Sequence, residues 1–331
     1  MCRRGRQVGE KWGILGRKKG RAAQMRADRY RFDGEKECHL GKLPTGAGED
    51  GVEKEEIVRA FEKNQEKLDA LQNVFYADKR EGIIVVLQAL DAAGKDSLIR
   101  KVATGLNPQG VHVACFKKPS EEELSHDYLW RINQALPARG EIAIFNRSYY
   151  EDVVTAKVHH LKDSYHMAER ITRQSEDAFI EKRMKQVKNY ESYLYENSYR
   201  VVKIFLHVSK QEQKKRFLER IDRKEKNWKF NADDLTDRKL FDTFMKVFED
   251  TIDCTATKES PWYALPADDK WYTRYLLSEI LIDVIEKTKP EYPELPKDQR
   301  ERLQICREEL TAENGGRGPK AKDRDRGSRA D

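Results

Sequence analysis

The sequence predicts an α/β fold, a parallel sheet flanked by helices. Three observations carry that expectation. Apolar runs rich in β-branched residues recur at 83–87, 142–145 and 201–208, the pattern of strands buried on both faces. Stretches with apolar residues at helical spacing lie around them, as at 53–78 and 271–287. The first apolar run also leads through small residues and Gly94-Lys95 into a helix pattern at Leu98, Ile99 and Val102, the strand–turn–helix order of α/β units.

Bulk properties narrow the class. With 331 residues the chain can hold one large domain or two small ones. It is 38% hydrophobic and 37% charged, with a net charge of +6, which implies a modest core under a polar surface. No apolar run approaches ~20 residues, so neither a transmembrane helix nor a secretory signal is expected. Cys2, Cys38, Cys115, Cys254 and Cys306 form no C-x-x-C pair. Neither a zinc site nor a disulfide framework is therefore expected, and a reducing cytoplasm fits best.

The turn after the first strand reads Ala89-Leu90-Asp91-Ala92-Ala93-Gly94-Lys95-Asp96-Ser97. This is a P-loop arrangement, so the fold expectation sharpens to a P-loop kinase-like sheet. Consecutive backbone N–H groups make an anion nest, the helix start adds its dipole and the lysine a point charge. The pattern departs from G-x-x-x-x-G-K-[ST]: Ala89 replaces the first glycine, and Asp96 follows the lysine, with Ser97 one further on. The alternative is a tight turn with an exposed lysine. Asp91 beside such a nest should repel an anion unless a metal or proton intervenes. It is either a Mg2+ ligand or base for an acceptor phosphate, or a turn aspartate bonding nearby N–H groups.

Around this turn the chain falls into segments. Residues 1–27 carry Arg3, Arg4, Arg6, Lys11, Arg17, Lys18, Lys19, Arg21 and Arg26 against Glu10 alone. They are a basic arm, a targeting peptide or an unstructured leader, with initiation at Met25 also open. A polar approach at 30–50 precedes the helix at 53–78. The breaker Asn107-Pro108-Gln109-Gly110 precedes a strand at 111–116, which delivers Lys117 and Lys118. Ligands bind at such strand ends in open α/β sheets, though a solvated loop end fits equally. A helix is expected at 121–134, ended by 137–140.

The strand at 142–145 delivers Asn146-Arg147-Ser148-Tyr149-Tyr150-Glu151-Asp152. P-loop enzymes often end this strand in a metal-binding aspartate. Here Asn146 stands there, with Glu151 and Asp152 following. Arg147 would oppose the next helix dipole unless an anion sat between them, which favours phosphate contact over a bare surface arginine. One long polar helix is expected over 167–196, on the core surface or at a subunit interface. After the strand at 201–208, Ser209 and Glu212 have capping-box spacing. Lys214, Lys215, Arg216, Arg220, Arg223, Lys224, Lys226 and Lys229 follow, interrupted by Trp228 and Phe230. This is a helical lid over phosphates, a nucleic-acid surface, or a solvated helix face. A helix at 234–252, a strand at 261–266 and a helix at 271–287 complete the core. The expected division is a leader at 1–28, an approach segment and helix at 29–80, a core at 81–289 with its lid at about 209–260, and a charged tail at 290–331. The last stretch, 315–331, has a disordered composition.

The motifs resemble the second type of polyphosphate kinase, a P-loop group related to thymidylate kinases. The resemblance rests on residues 87–97, Asn107-Pro108-Gln109-Gly110, residues 145–151, Lys226-Asn227-Trp228-Lys229-Phe230, and Pro261-Trp262-Tyr263 through Ala267-Asp268-Asp269-Lys270-Trp271. It spans about 30–289. It implies reversible, Mg2+-dependent phosphoryl transfer between inorganic polyphosphate and a nucleotide. Asn146, where many members carry Asp, resembles the subgroup acting on both AMP and ADP. Arg223-Lys224 departs from the acidic residue and proline that the family implies in the lid.

The roles the resemblance implies are Lys95 on the transferring phosphates, Asp91 with Mg2+ or the acceptor, and Arg147 on phosphate. Arg216, Arg220 and Lys229 become lid contacts. Ala92, Ala93, Gly94, Asp96, Ser97, Lys117, Asn146 and Glu151 complete the candidate site. A homo-oligomer is implied, with AMP, ADP, ATP and polyphosphate as ligands and neither nucleic acid nor membrane as a partner. Two other functions fit parts of the pattern: an ATP-dependent nucleoside monophosphate kinase, and a non-catalytic module binding polyphosphate or nucleic acid.

Overall fold

Apolar run by apolar run, the strands assemble into one six-stranded sheet. The computed structural model describes residues 25–165 and 167–313; leader residues 1–24 and the stretch 315–331 lie outside the described residues. The strands are β1 (Arg31–Phe32), β2 (Gly82–Gln88), β3 (Val111–Cys115), β4 (Ile142–Asn146), β5 (Tyr199–His207) and β6 (Trp262–Pro266). Their order is β1-β6-β5-β2-β4-β3. All neighbours are parallel except β1 and β6. The register pairs Leu87 with both Asn146 and Ile204, and Cys115 with Asn146. The carboxyl ends of β2, β3 and β4 therefore lie side by side. From β2 the chain runs to one side of the sheet and later returns to the other, which makes the end of β2 a topological switch point.

Strand alternation divides the core in two. Ile83, Val85 and Leu87 face a cluster with Leu276 and Ile280. It is covered by α1 (Lys54–Asp78), α2 (Lys95–Ala103) and α11 (Lys270–Thr288). Ile84 and Val86 face a cluster with Phe145, Phe179 and Phe248. There α5 (Val154–Val158), α7 (Glu176–Glu196) and α10 (Phe241–Thr255) pack. Successive side chains of a strand point to opposite faces, so a continuous apolar run is what a strand between two helical layers requires.

Several local expectations are corrected. The helix expected at 121–134 is two, α3 (Glu121–Ser125) and α4 (Trp130–Gln134). His126 is extended, and the Asp127 carboxylate accepts from Leu129 N–H at 2.9 Å to start the second. The helix expected from 167 is α6 (Glu169–Thr172) and then α7, because Ser175 caps a new start at Ala178 N–H. The helix at 234–252 divides at Leu240 into α9 (Asp233–Lys239) and α10. Ser209 caps α8 (Lys210–Asp222), accepting from Glu212 N–H at 3.0 Å, but the capping box does not close. Asp268 occupies Ser209 N–H, and the Glu212 carboxylate turns to Arg216.

The leader expected through residue 28 gives way earlier. Arg26–Tyr30 is a 3-10 turn whose Ala27 N–H donates to Glu279 at 3.2 Å. The chain divides after Pro290. In the second unit, α12 (Lys297–Glu313) forms where only a charged tail was expected. Its stretch has neither proline nor glycine, so nothing in it breaks a helix. No described helix is long and apolar enough to cross a membrane.

Candidate active site

The loop after β2 is shaped by two left-handed residues, Ala92 (φ 62°) and Gly94 (φ 109°). Glycine takes this region freely, whereas alanine there is held against its preference. α2 begins at Lys95, so its N-terminal amides follow the loop directly. Ser97 Oγ donates back to Gly94 O at 3.0 Å. Lys95 is 8% exposed and folds onto the loop, donating to Ala89 O at 2.8 Å and Leu90 O at 3.4 Å. Burial, reinforced by the nearby Arg147 charge, pulls its ammonium down to about 8.

Arg147 follows β4 directly, also left-handed (φ 65°), with its N–H on Leu87 O at 3.0 Å. The register above thus brings it to the loop. Its guanidinium bridges Asp91 Oδ1 (2.6 Å) and Glu151 Oε2 (3.0 Å). Burial raises the Asp91 pKa, but the charges of Lys95 and Arg147 outweigh it and hold the carboxyl below its usual range. Asp91 is therefore an ion-pair partner of Arg147 rather than a simple turn aspartate. Gln88, in the amide orientation that satisfies both its ends, donates to Glu151 at 2.9 Å and accepts from Ser148 N–H at 3.1 Å.

Asp96 joins two further candidates. Its Oδ1 accepts from Asn146 Nδ2 at 3.0 Å and its Oδ2 from Lys229 Nζ at 2.9 Å. Burial would raise the Asp96 pKa; these two donors lower it overall.

The basic stretch divides by role. Arg216 is 6% exposed, and each of its N–H groups has an acceptor in the protein. Nε donates to Glu212, Nη1 to Ala92 O and Ala93 O, and Nη2 to Ala267 O and Asp268 O. In this arrangement it clamps the loop from behind, and no donor is left for the phosphate contact expected of it. Arg220 instead pairs with Asp234 at 3.2 Å.

Sequence reasoning missed Gln213, which donates to Asp91 O at 3.0 Å. The spacing of 213, 216 and 220 puts all three on one helix face and could have flagged it. Also missed were Asp234 and Asp237 on α9. Burial and the Asp91 charge raise Asp234 to about 6, while Asp237 pairs with His159 at 2.9 Å. No local pattern marks them, because their role depends on how α9 folds back.

Lys117 is exposed, and its side chain makes no hydrogen bond or ion pair with the loop among the described residues. Its carbonyl accepts from Arg131 at 2.8 Å. Arg131 lines a cavity of about 570 Å3 together with Tyr128, Asp152, Tyr165, Phe179 and Arg183. The Arg183 guanidinium lies 3.7 Å from the Tyr128 ring centroid. No loop residue lines this cavity; among its lining residues Asp152 is the sequence neighbour of Glu151.

Fold and site together describe an α/β phosphotransferase. The family model for polyphosphate kinase 2 matches residues 51–293. An ADP-polyphosphate phosphotransferase of Rhodopseudomonas palustris is 41% identical over 289 residues, 87% of this chain and 99% of that one. An AMP/ADP-polyphosphate phosphotransferase of Meiothermus ruber is 40% identical over 261 residues, 79% of this chain and 92% of that one. The crystal structure of polyphosphate kinase 2 from Arthrobacter aurescens TC1 superposes with a TM-score of 0.77 at 30% identity, covering 86% of this chain and 98% of that one. The chain belongs to the polyphosphate kinase 2 family.

Proposed function

We propose that this protein moves the terminal phosphoryl group of inorganic polyphosphate to AMP or ADP, reversibly and with Mg2+. The observation that carries the site assignment is Arg147 held between Asp91 and Glu151 beside the Lys95 loop. An oxygen of the acceptor phosphate attacks the terminal phosphorus. A P–O bond forms there, and the bond to the shortened chain breaks with its electron pair leaving on that chain. Phosphoryl transfer needs mainly positioning and charge neutralisation.

The loop amides at Ala92 and Gly94 cradle phosphate oxygens, Ala93 N–H closes the turn on Leu90 O at 3.3 Å, and Lys95 leaves its two carbonyls for the transferring group. Arg147 orients the acceptor phosphate. Arg220 and Lys229 close from the lid, and Lys117 lies farther out along the strand ends. Arg216 holds the loop in shape.

The carboxylates fit a divalent cation. Burial, and after it the Asp91 charge, raise Asp234; a cation relieves the second of these, and Asp91 Oδ2 accepts no hydrogen bond among the described residues. Groups of three or more potential ligands are absent among the described residues, but Mg2+ takes one or two carboxylates plus substrate phosphates. Asp91 and Asp234 would hold the ion, which supplies charge neutralisation on the phosphates when bound.

The nucleoside of the acceptor is assigned to the cavity at Tyr128 and Arg183, where a flat base can stack. A cytoplasmic homo-oligomer fits the reading. The test is an assay with Mg2+, long-chain polyphosphate and either AMP or ADP, with products separated by chromatography. ATP from both acceptors is expected. Product from ADP alone would remove the dual-acceptor part. Turnover with ATP plus a nucleoside monophosphate, and none with polyphosphate, would reverse the reading. Arg183→Ala should raise KM for the nucleotide several-fold and leave KM for polyphosphate unchanged.

A further inference from the structure

Behind the candidate site lies a buried polar node. Glu191, on α7, is 1% exposed. Its Oε1 accepts from Tyr149 Oη at 2.9 Å and Tyr150 Oη at 2.8 Å. Its Oε2 accepts from Lys203 Nζ at 2.6 Å and Ser260 Oγ at 2.9 Å. Lys203, on β5, also donates to Thr255 O at 2.8 Å, and Thr255 Oγ1 accepts from Trp262 Nε1 at 2.9 Å. One carboxylate thus ties together the loop after β4, α7, β5, α10 and the start of β6.

Such a node is costly to build. Each charge loses its hydration, and well-packed apolar residues often serve stability as well or better. The node is therefore poorly explained by stability alone. What sets it apart is where its tyrosines lie. Tyr149 and Tyr150 follow Arg147 by two and three positions in the sequence. Arg147 itself holds a left-handed backbone (φ 65°) that a non-glycine residue keeps only when its surroundings over-determine it. Ser148 is fully buried, and its Oγ accepts from Tyr150 N–H at 3.2 Å. The two tyrosine side chains, anchored on Glu191, fix the other end of this turn. Both rings are buried, and the Tyr150 ring meets Trp262 edge-on at 4.7 Å.

We infer that Glu191 is a positioning residue, which through Tyr149 and Tyr150 holds Arg147 where it meets the acceptor phosphate. The inference rests on the assignment of Arg147 to the phosphate site. Its consequence is that hydroxyls bonded to Glu191 rather than to a substrate govern turnover.

The experiment compares Tyr149→Phe/Tyr150→Phe and Glu191→Gln in two backgrounds, native and Arg147→Lys, with kcat, KM and thermal midpoint measured for each. The tyrosine pair keeps both rings and their packing, so it tests the node even if Glu191→Gln fails to fold. In the native background kcat should fall about tenfold, with KM for polyphosphate within about twofold, at a temperature where every variant is folded. In the Arg147→Lys background the same substitutions should change kcat by less than about twofold, because the group they position is already gone.

Equal losses in both backgrounds would overturn the inference, as would a lowered midpoint with native kcat. If Arg147→Lys alone leaves the rate unchanged, the assignment of Arg147 itself fails. If it lowers the rate but the tyrosine pair does not, only the positioning role fails.

Discussion

Lys229 Nζ lies 2.9 Å from Asp96 Oδ2, joining the segment after α8 to the first turn of α2. Asp96 is largely exposed and Lys229 about one-third exposed, and a pair of that kind contributes about 0–1 kcal/mol to stability. Its expected value lies in holding the proposed lid over the phosphates. Lys229→Ala should leave the melting temperature within about 2 °C of native and raise KM for polyphosphate about three- to tenfold. Calorimetry and initial rates on the same preparation check both halves.

Lys95→Ala should lower kcat by on the order of 100-fold or more, the usual loss on removing a charge-stabilising group. Native-like turnover, measured as ATP formed from ADP and polyphosphate, would remove Lys95 from the site.

The same lysine predicts a pH dependence with opposite signs for binding and folding. Its ammonium is held near 8 in the folded protein against an ordinary 10.5. Free enzyme should bind polyphosphate more weakly as pH rises through about 8, where the charge is lost. An unfolded chain keeps the proton up to 10.5, so this residue's contribution makes folding more favourable as pH rises between those values. Titration of tripolyphosphate into the protein at pH 7 and pH 9, beside urea denaturation at the same pH values, separates the two. In Lys95→Met both dependences should flatten.

Asp234, raised to about 6, predicts an acid limb. Below that pH its carboxyl is protonated and the proposed cation site loses a charge. The Mg2+ concentration needed for half-maximal rate should therefore rise below about pH 6 in the native protein. In Asp234→Asn the rate at neutral pH should be lower and this limb missing.

Arg216→Ala strands the carbonyls of Ala92, Ala93, Ala267 and Asp268. Unsatisfied buried groups of this kind cost about 1–3 kcal/mol each at most, with partial relaxation. We expect a net loss of about 2–4 kcal/mol in urea denaturation, and Arg216→Lys should recover little of it, since an ammonium cannot reach the forked set of acceptors.

Much of this was legible in the sequence because it is local. The run at 83–87, the Gly94-Lys95 turn and the helix pattern behind it are consecutive, and their physics needs no distant partner. Asn146-Arg147 was legible for the same reason, as a strand end. The charge of Arg216 suggests phosphate, whereas its acceptors here are the Glu212 carboxylate and backbone carbonyls from two separate loops. In the sequence Asp234 reads only as a helix start, because its relation to Asp91 exists only once α9 packs back. Strand β1 escaped notice because two residues carry no periodicity, and its pairing with Trp262 and Tyr263 spans most of the chain.

That last pairing belongs to a larger set. Ala27 bonds Glu279, Cys38 N–H bonds Asp253, Leu40 N–H bonds Glu249, and Tyr30 and Tyr272 share Asp50. Beside their local bonds, the earliest described residues thus take a set of partners from the final third of the core. During synthesis, which proceeds from the amino end, these residues leave the ribosome long before anything exists for them to hold. They must wait, solvated, while some two hundred residues are added, and they lock only when β6 and α11 arrive. The strap is made before the core it binds and fastened after it.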